Sequence, residues 1–164
     1  MLVLGIDPGI ALTGYGFVLD RDDGDIEMIA YGVVDTPAHT ALETRLQQIY
    51  REVRALVEKY KPASVAMEKL LFGKNVTTAM AVGQARGVTL LALADCGYSI
   101  TEYTPASVKQ AVAGYGNAPK AQMQEMVRLL LRLDHIPKPD DAADALAVAI
   151  THLHNVRYES MYKQ

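Results

Sequence analysis

LVLGIDPGIALTGYGFVLDRDDGDIEMIAYGVV, running from Leu2 to Val34, is the stretch that sets the fold class. Its opening, Leu2–Ile6, is an unbroken apolar run stopped by Asp7, Pro8 and Gly9, the pattern of a buried strand with an abrupt end. Thr13–Leu19 and Ile26–Val34 are two further strand-like runs, parted by an Asp- and Gly-rich turn at Asp20–Asp25 and closed by Asp35, Thr36 and Pro37. Three successive strands joined by tight turns predict an antiparallel start to a sheet.

Beyond Pro37 the period changes. From Ala41 to Tyr60, Leu42, Leu46, Ile49, Tyr50, Val53, Leu56 and Val57 recur at intervals of three and four, which predicts an amphipathic helix ended by Lys61 and Pro62. Ala63–Met67 is a short apolar strand that delivers Glu68 at its end, and Leu70–Asn75 follows as a loop. A second helix fits Val76–Asp95, and Ser99–Tyr103 makes a last strand. Thr104 before Pro105 is an N-cap with proline at the first helical position, opening a helix to Ala113 that Gly114 and Gly116 break. Further helices are expected over Lys120–Leu133 and from Pro139 or Asp140 through Val156. The sum is an α/β chain with a mixed five-stranded sheet, first three strands antiparallel, flanked by helices.

The 164 residues suit one domain, 1–164, at roughly 100 to 200 residues per domain, and leave no room for a kinase-like pair of lobes. No run approaches the roughly 18 apolar residues a membrane span needs, so no membrane partner is expected. The first residues read directly as a strand, with no targeting leader ahead of them, which points to the cytoplasm. The single cysteine, Cys96, permits neither an internal disulfide nor a cysteine-based zinc site. The net charge of −3 by itself argues against a polyanionic partner, but Asp20–Glu27 alone carries five acids against Arg21, and the rest of the chain is slightly basic. Local clustering, not overall charge, decides whether nucleic acid binds.

Four acids stand where such elements converge. Asp7 ends the first strand, Glu68 ends the fourth, and Asp141 and Asp144 lie three apart, hence on one face, at the start of the last helix. Taken singly, Asp7 beside Pro8 and Gly9 also reads as a turn former, and the helix pair as first-turn acids. Glu68, after an apolar run, is costly without a partner. Together, four like charges in one place require a divalent cation to offset them. Oxygen-only ligands select Mg²⁺ or Mn²⁺ over zinc, and the helix N-terminus keeps Asp141 and Asp144 ionised. Two such ions about 4 Å apart are the arrangement for in-line displacement at phosphorus.

The motifs GIDPGIALTGYG at Gly5–Gly16, Glu68 followed by KNVTTAMAVGQARG at Lys74–Gly87, SVKQAVAGYGNAPK at Ser107–Lys120 and DAADALAVAITH at Asp141–His152 closely resemble those of the bacterial RuvC Holliday-junction resolvases, in order and over nearly the whole chain. The resemblance implies an RNase H-like fold. It also implies a homodimer that binds a four-way DNA junction and nicks two opposed strands to leave 5′-phosphate and 3′-hydroxyl ends. The branch-migration proteins RuvA and RuvB would be its partners. The family's catalytic acids fall on Asp7, Glu68, Asp141 and Asp144, with Mg²⁺, two ions per subunit, as cofactor and Mn²⁺ as a substitute. Where some relatives carry a histidine, this chain has Asp141; its neighbour Asp140 has no assigned role.

The family's phosphate-contacting lysines fall on Lys109 and Lys120, which by themselves read equally as solvated surface lysines. Its aromatic wedge, three residues after the glutamate, is Leu71 here with Phe72 next, so either Phe72 stacks at the crossover or the wedge is aliphatic. Lys74 and Tyr115 are further candidates for DNA contact, Tyr115 reading also as a packed turn aromatic. Gly83 and Gly87 permit close helix approach, within the core or, as the resemblance implies, at a dimer contact. His152 and His154, two apart, face different ways and read as ordinary helix or surface histidines. Competing classes are an RNase H-like nuclease acting on RNA, a non-catalytic junction-binding module, and an actin-like ATPase, for which the chain is too short.

Overall fold

The computed structural model describes residues 1–21, 24–70 and 76–162, with only the backbone described at 76–78 and 162. The chain runs β1 (Leu2–Asp7), β2 (Leu12–Asp20), β3 (Ile26–Asp35), α1 (Leu42–Tyr60), β4 (Ser64–Glu68), α2 (Val76–Asp95), β5 (Ile100–Tyr103), α3 (Pro105–Ala113), α4 (Lys120–Leu130) and α5 (Asp140–Tyr162). The sheet order is β3-β2-β1-β4-β5. The β1–β2 and β2–β3 pairs are antiparallel, as the tight turns predict, whereas β4 joins β1 in parallel and β5 joins β4 in parallel.

Side-chain alternation distributes the core to the two faces. Leu4 and Ile6 of β1, Phe17 of β2 and Val65 and Met67 of β4 pack with Ile49, Val53 and Val57 of α1 and with Ala85, Ala92 and Leu93 of α2. Val3, Val18 and Ala66 face the other way, onto Val108 and Val112 of α3, Met123 and Val127 of α4, and the alanine-rich α5 with Leu146, Ile150 and Leu153. Asp7 shares its parity with Val3, and Glu68 with Ala66, so the period of two sends both acids toward the α5 side.

Glycine lets α5 lie directly on the sheet. A Cβ at Gly5 would sit 2.1 Å from the Ala145 carbonyl oxygen, and one at Gly14 would sit 2.0 Å from that of Asp141. Backbone therefore rests on backbone, and the first turn of α5 is held over the ends of β1 and β2.

Several boundaries differ from expectation. β2 begins at Leu12, one residue before the expected Thr13, because Leu12 pairs with Asp35, while β1 and β4 end on Asp7 and Glu68 as expected. α4 stops at Leu130, not Leu133: Arg132 turns left-handed at φ 52° and the Leu133 N–H donates to the Arg128 carbonyl at 2.9 Å. α5 continues past Val156 to Tyr162. The capping of α3 is as expected, with the Thr104 hydroxyl accepting from the Ser107 N–H at 3.1 Å and Pro105 at the first position. No helix of the described residues is long and apolar enough to cross a membrane.

Candidate active site

Parallel neighbours β1 and β4 end side by side, so Asp7 and Glu68 stand at one edge of the sheet. The pinned start of α5 brings Asp141 and Asp144 over the same edge. The four acids interact there. Burial, then Glu68, Asp144 and Asp141, push the Asp7 carboxyl from its ordinary 3.8 up to about 7, with Lys120 opposing. Burial and Asp144 raise Glu68, against the pull of Lys109 and Lys120. Burial likewise raises Asp144; Lys120 lowers it, and Asp141 and Asp140 add to the rise. Convergence of residues from three distant parts of the chain is thus visible as mutual repulsion.

Both lysines of the sequence analysis belong to this neighbourhood. Lys120, the first residue of α4, places Nζ 3.3 Å from Asp144 Oδ2 and 3.2 Å from Asp140 Oδ2. Burial disfavours its charge, but Asp144 and Asp140 outweigh that and hold the ammonium above its ordinary value. Lys109 on α3 lines a cavity of about 200 Å³ together with Glu68, Lys120 and Asp144. A second cavity of about 200 Å³, on the other side of Glu68, is lined by Asp7, Pro8, Leu70 and Arg86. Tyr115 lies exposed between α3 and α4, its hydroxyl donating to Gln122. Leu71, Phe72 and Lys74 lie outside the described residues.

Among the described residues, no three carboxylate, imidazole or thiol side chains are gathered into a ready coordination shell. Asp144 is engaged with Lys120 instead. The donor set nonetheless fits a hard divalent cation: the oxygens are all carboxylate, and Asp7 at about 7 marks a place short of positive charge even with Lys120 present.

Two participants were not assigned from sequence. Arg86 of α2 donates from Nη1 to the Glu68 carbonyl at 2.8 Å and pairs through Nη2 with Glu102 of β5. It is the one charged residue between Val76 and Ala94, a signal that an otherwise apolar helix offered. Asp140 gathers Lys120, Lys138 Nζ at 3.2 Å and Gln124 Nε2 at 2.9 Å. His152 corrects the surface reading: it is buried, with Nδ1 2.9 Å from the Tyr103 hydroxyl and Nε2 3.0 Å from the Ser64 hydroxyl. His154 is half-buried and faces a different side, beside α3.

The family model for crossover junction endodeoxyribonuclease RuvC matches residues 3–152. This chain belongs to the RuvC family. A RuvC of Heliobacterium modesticaldum is 54% identical over 158 residues, covering 96% of this chain and 97% of that protein. A RuvC of Chloroflexus aggregans is 57% identical over 152 residues, covering 93% and 92%. Among solved structures, Thermus thermophilus RuvC in complex with a Holliday junction substrate superposes with TM-score 0.91 at 36% identity, covering 97% of this chain and 96% of that one. The RuvC sheet and its flanking helices are the RNase H-like fold, so the fold class expected from the sequence is met.

Proposed function

We propose that this chain is a DNA endonuclease that resolves Holliday junctions, acting as a homodimer that nicks two opposed strands. The observation that carries the reading is the meeting of Asp7, Glu68, Asp141 and Asp144 at one edge of the sheet, with Asp7 pushed to about 7. Family membership supplies the substrate class. The four acids would hold Mg²⁺, two ions per subunit, with Mn²⁺ able to replace it. When bound, such ions neutralise the scissile phosphate and increase the acidity of the attacking water.

The remaining work falls to this chain's own side chains. Lys109 and Lys120 bind backbone phosphates and so set the register of the strand without reading its sequence. The exposed Lys120 can exchange its contact with Asp144 for a phosphate, which frees that carboxylate for a cation. Burial and the neighbouring acids disfavour the charge on both Asp7, raised to about 7, and Glu68, so positive charge arriving at the site favours their anionic forms while the sheet keeps them in place. Leu71 or Phe72 wedges at the crossover, and Lys74 and Tyr115 add contacts to the arms. The products are 5′-phosphate and 3′-hydroxyl ends.

The dimer reading rests on α2. Met80 and Leu91 are 64% and 54% exposed on this helix, and Cβ atoms added at Gly83 and Gly87 would meet nothing within 4 Å. That face suits a second copy, and two-fold symmetry would present two sites to two equivalent strands. Residues 1–164 act as one nuclease domain in the cytoplasm, supplied with junctions by RuvA and RuvB, as the family implies.

The test is cleavage of a four-way DNA junction beside duplex DNA and an RNA–DNA hybrid, each with Mg²⁺ or with chelator. Paired nicks in the junction alone, dependent on Mg²⁺, are expected. Preferential cutting of the hybrid, or junction binding without turnover in any divalent ion, would overturn the reading.

A further inference from the structure

Glu68 is the last residue of its strand, paired with Tyr103 of β5 but beyond the last β1–β4 pair at Met67. Its side chain is rooted in a peptide that no longer has the ladder on both sides, although the Lys69 N–H still donates to the Tyr103 carbonyl at 2.7 Å. The Glu68 carbonyl is held by Arg86 from α2, at 2.8 Å. That carbonyl belongs to the peptide plane leaving the Glu68 Cα, so fixing it fixes the backbone torsion from which the carboxylate projects. The other arm of the guanidinium pairs with Glu102, one residue before Tyr103 on β5. The Arg86 side chain is only 14% exposed and lines the cavity shared with Asp7 and Glu68.

We infer that Arg86 is a positioning residue for the cleavage reaction: its planar fork ties the carbonyl of Glu68 to Glu102 and so fixes where the Glu68 carboxylate points. The inference rests on the reading that Glu68 acts in strand cleavage. It uses a geometry that lysine cannot copy, because an ammonium is a point donor on a flexible stem, while the guanidinium offers two parallel donors in one plane. Arg86 touches no substrate in this account. The helix that carries it also presents Met80, Gly87 and Leu91 outward, so α2 is a rigid bar between the proposed dimer face and the root of Glu68.

The experiment compares wild type, R86K and E102Q as full chains. It measures junction affinity in Ca²⁺, oligomeric state by sedimentation, single-turnover cleavage rate, and the Mg²⁺ concentration for half-maximal rate. For R86K the expected result is a dimer with junction affinity within about twofold of wild type, a cleavage rate reduced at least about tenfold, and a several-fold higher Mg²⁺ requirement. E102Q, which loosens only the far arm, should show the same pattern at about two- to threefold. An unchanged rate and Mg²⁺ requirement in R86K overturns the inference, as does a rate loss matched by an equal loss of junction affinity. Wild type that does not cut junctions removes the underlying reading as well, which separates the two failures.

Discussion

Asp7→Asn separates the cost of holding the site together from its use. In the metal-free protein the Asp7 carboxyl is displaced from 3.8 to about 7 by burial and by Glu68, Asp144 and Asp141. At about 1.4 kcal/mol per tenfold change in proton affinity, ionising Asp7 in the folded chain costs roughly 4 kcal/mol more than in the unfolded chain. The folded pKa is the higher one, so the folded state binds the proton more tightly. Its contribution to stability is therefore fully present below about pH 4 and is lost as pH rises through about 7. Asparagine keeps the shape and removes the titration. With chelator at pH 8, D7N should be more stable than wild type by about 2 to 4 kcal/mol in urea unfolding, and the difference should vanish below pH 4. Mg²⁺ should raise the stability of wild type more than that of D7N, while D7N fails to cut junctions. A D7N protein less stable than wild type at pH 8, or a difference independent of pH, refutes the argument that burial and the neighbouring acids disfavour the Asp7 carboxylate.

Other perturbations address the remaining parts. K120A should weaken junction binding, reduce the slope of log affinity against log salt by about 1, and slow cleavage beyond the loss of binding; an unaltered slope would show that Lys120 meets no phosphate. Gly5→Ala forces a methyl toward the Ala145 carbonyl, 2.1 Å from the Cβ position, and should cost about 3 kcal/mol or more in urea unfolding because α5 must lift off the sheet. Gly87→Arg places a charged side chain on the exposed face of α2 and should yield a folded monomer by sedimentation, whereas a dimer of undiminished affinity would move the contact elsewhere.

Much of this was legible because hydrophobic period reports the side on which a residue lies. The unbroken apolar run Leu2–Ile6 and the three-and-four spacing in Ala41–Tyr60 predict the element order, whereas the face on which Asp7 and Glu68 lie shows only once Val3 and Ala66 are seen packed against α5. What stayed hidden depends on tertiary neighbours. Leu131 and Leu133 continue the apolar pattern of α4, but the helix closes through a left-handed Arg132 with no glycine to announce it. His152 looks like any helix histidine until Tyr103 and Ser64, from β5 and β4, are brought to its two ring nitrogens. Arg86 and Asp140 act through a backbone carbonyl and a lysine far away in sequence, contacts that no spacing encodes. The order of the elements suggests that the acids are neighbours, while the engagement of Asp144 with Lys120 is visible only in space.

The most direct test of the central claim is anomalous diffraction from crystals of the protein grown with Mn²⁺. Manganese peaks within bonding distance of Asp7, Glu68, Asp141 and Asp144, with Lys120 Nζ displaced from Asp144, are the expected result. Manganese bound only elsewhere on the surface, with the Lys120–Asp144 pair intact at millimolar Mn²⁺, would contradict it.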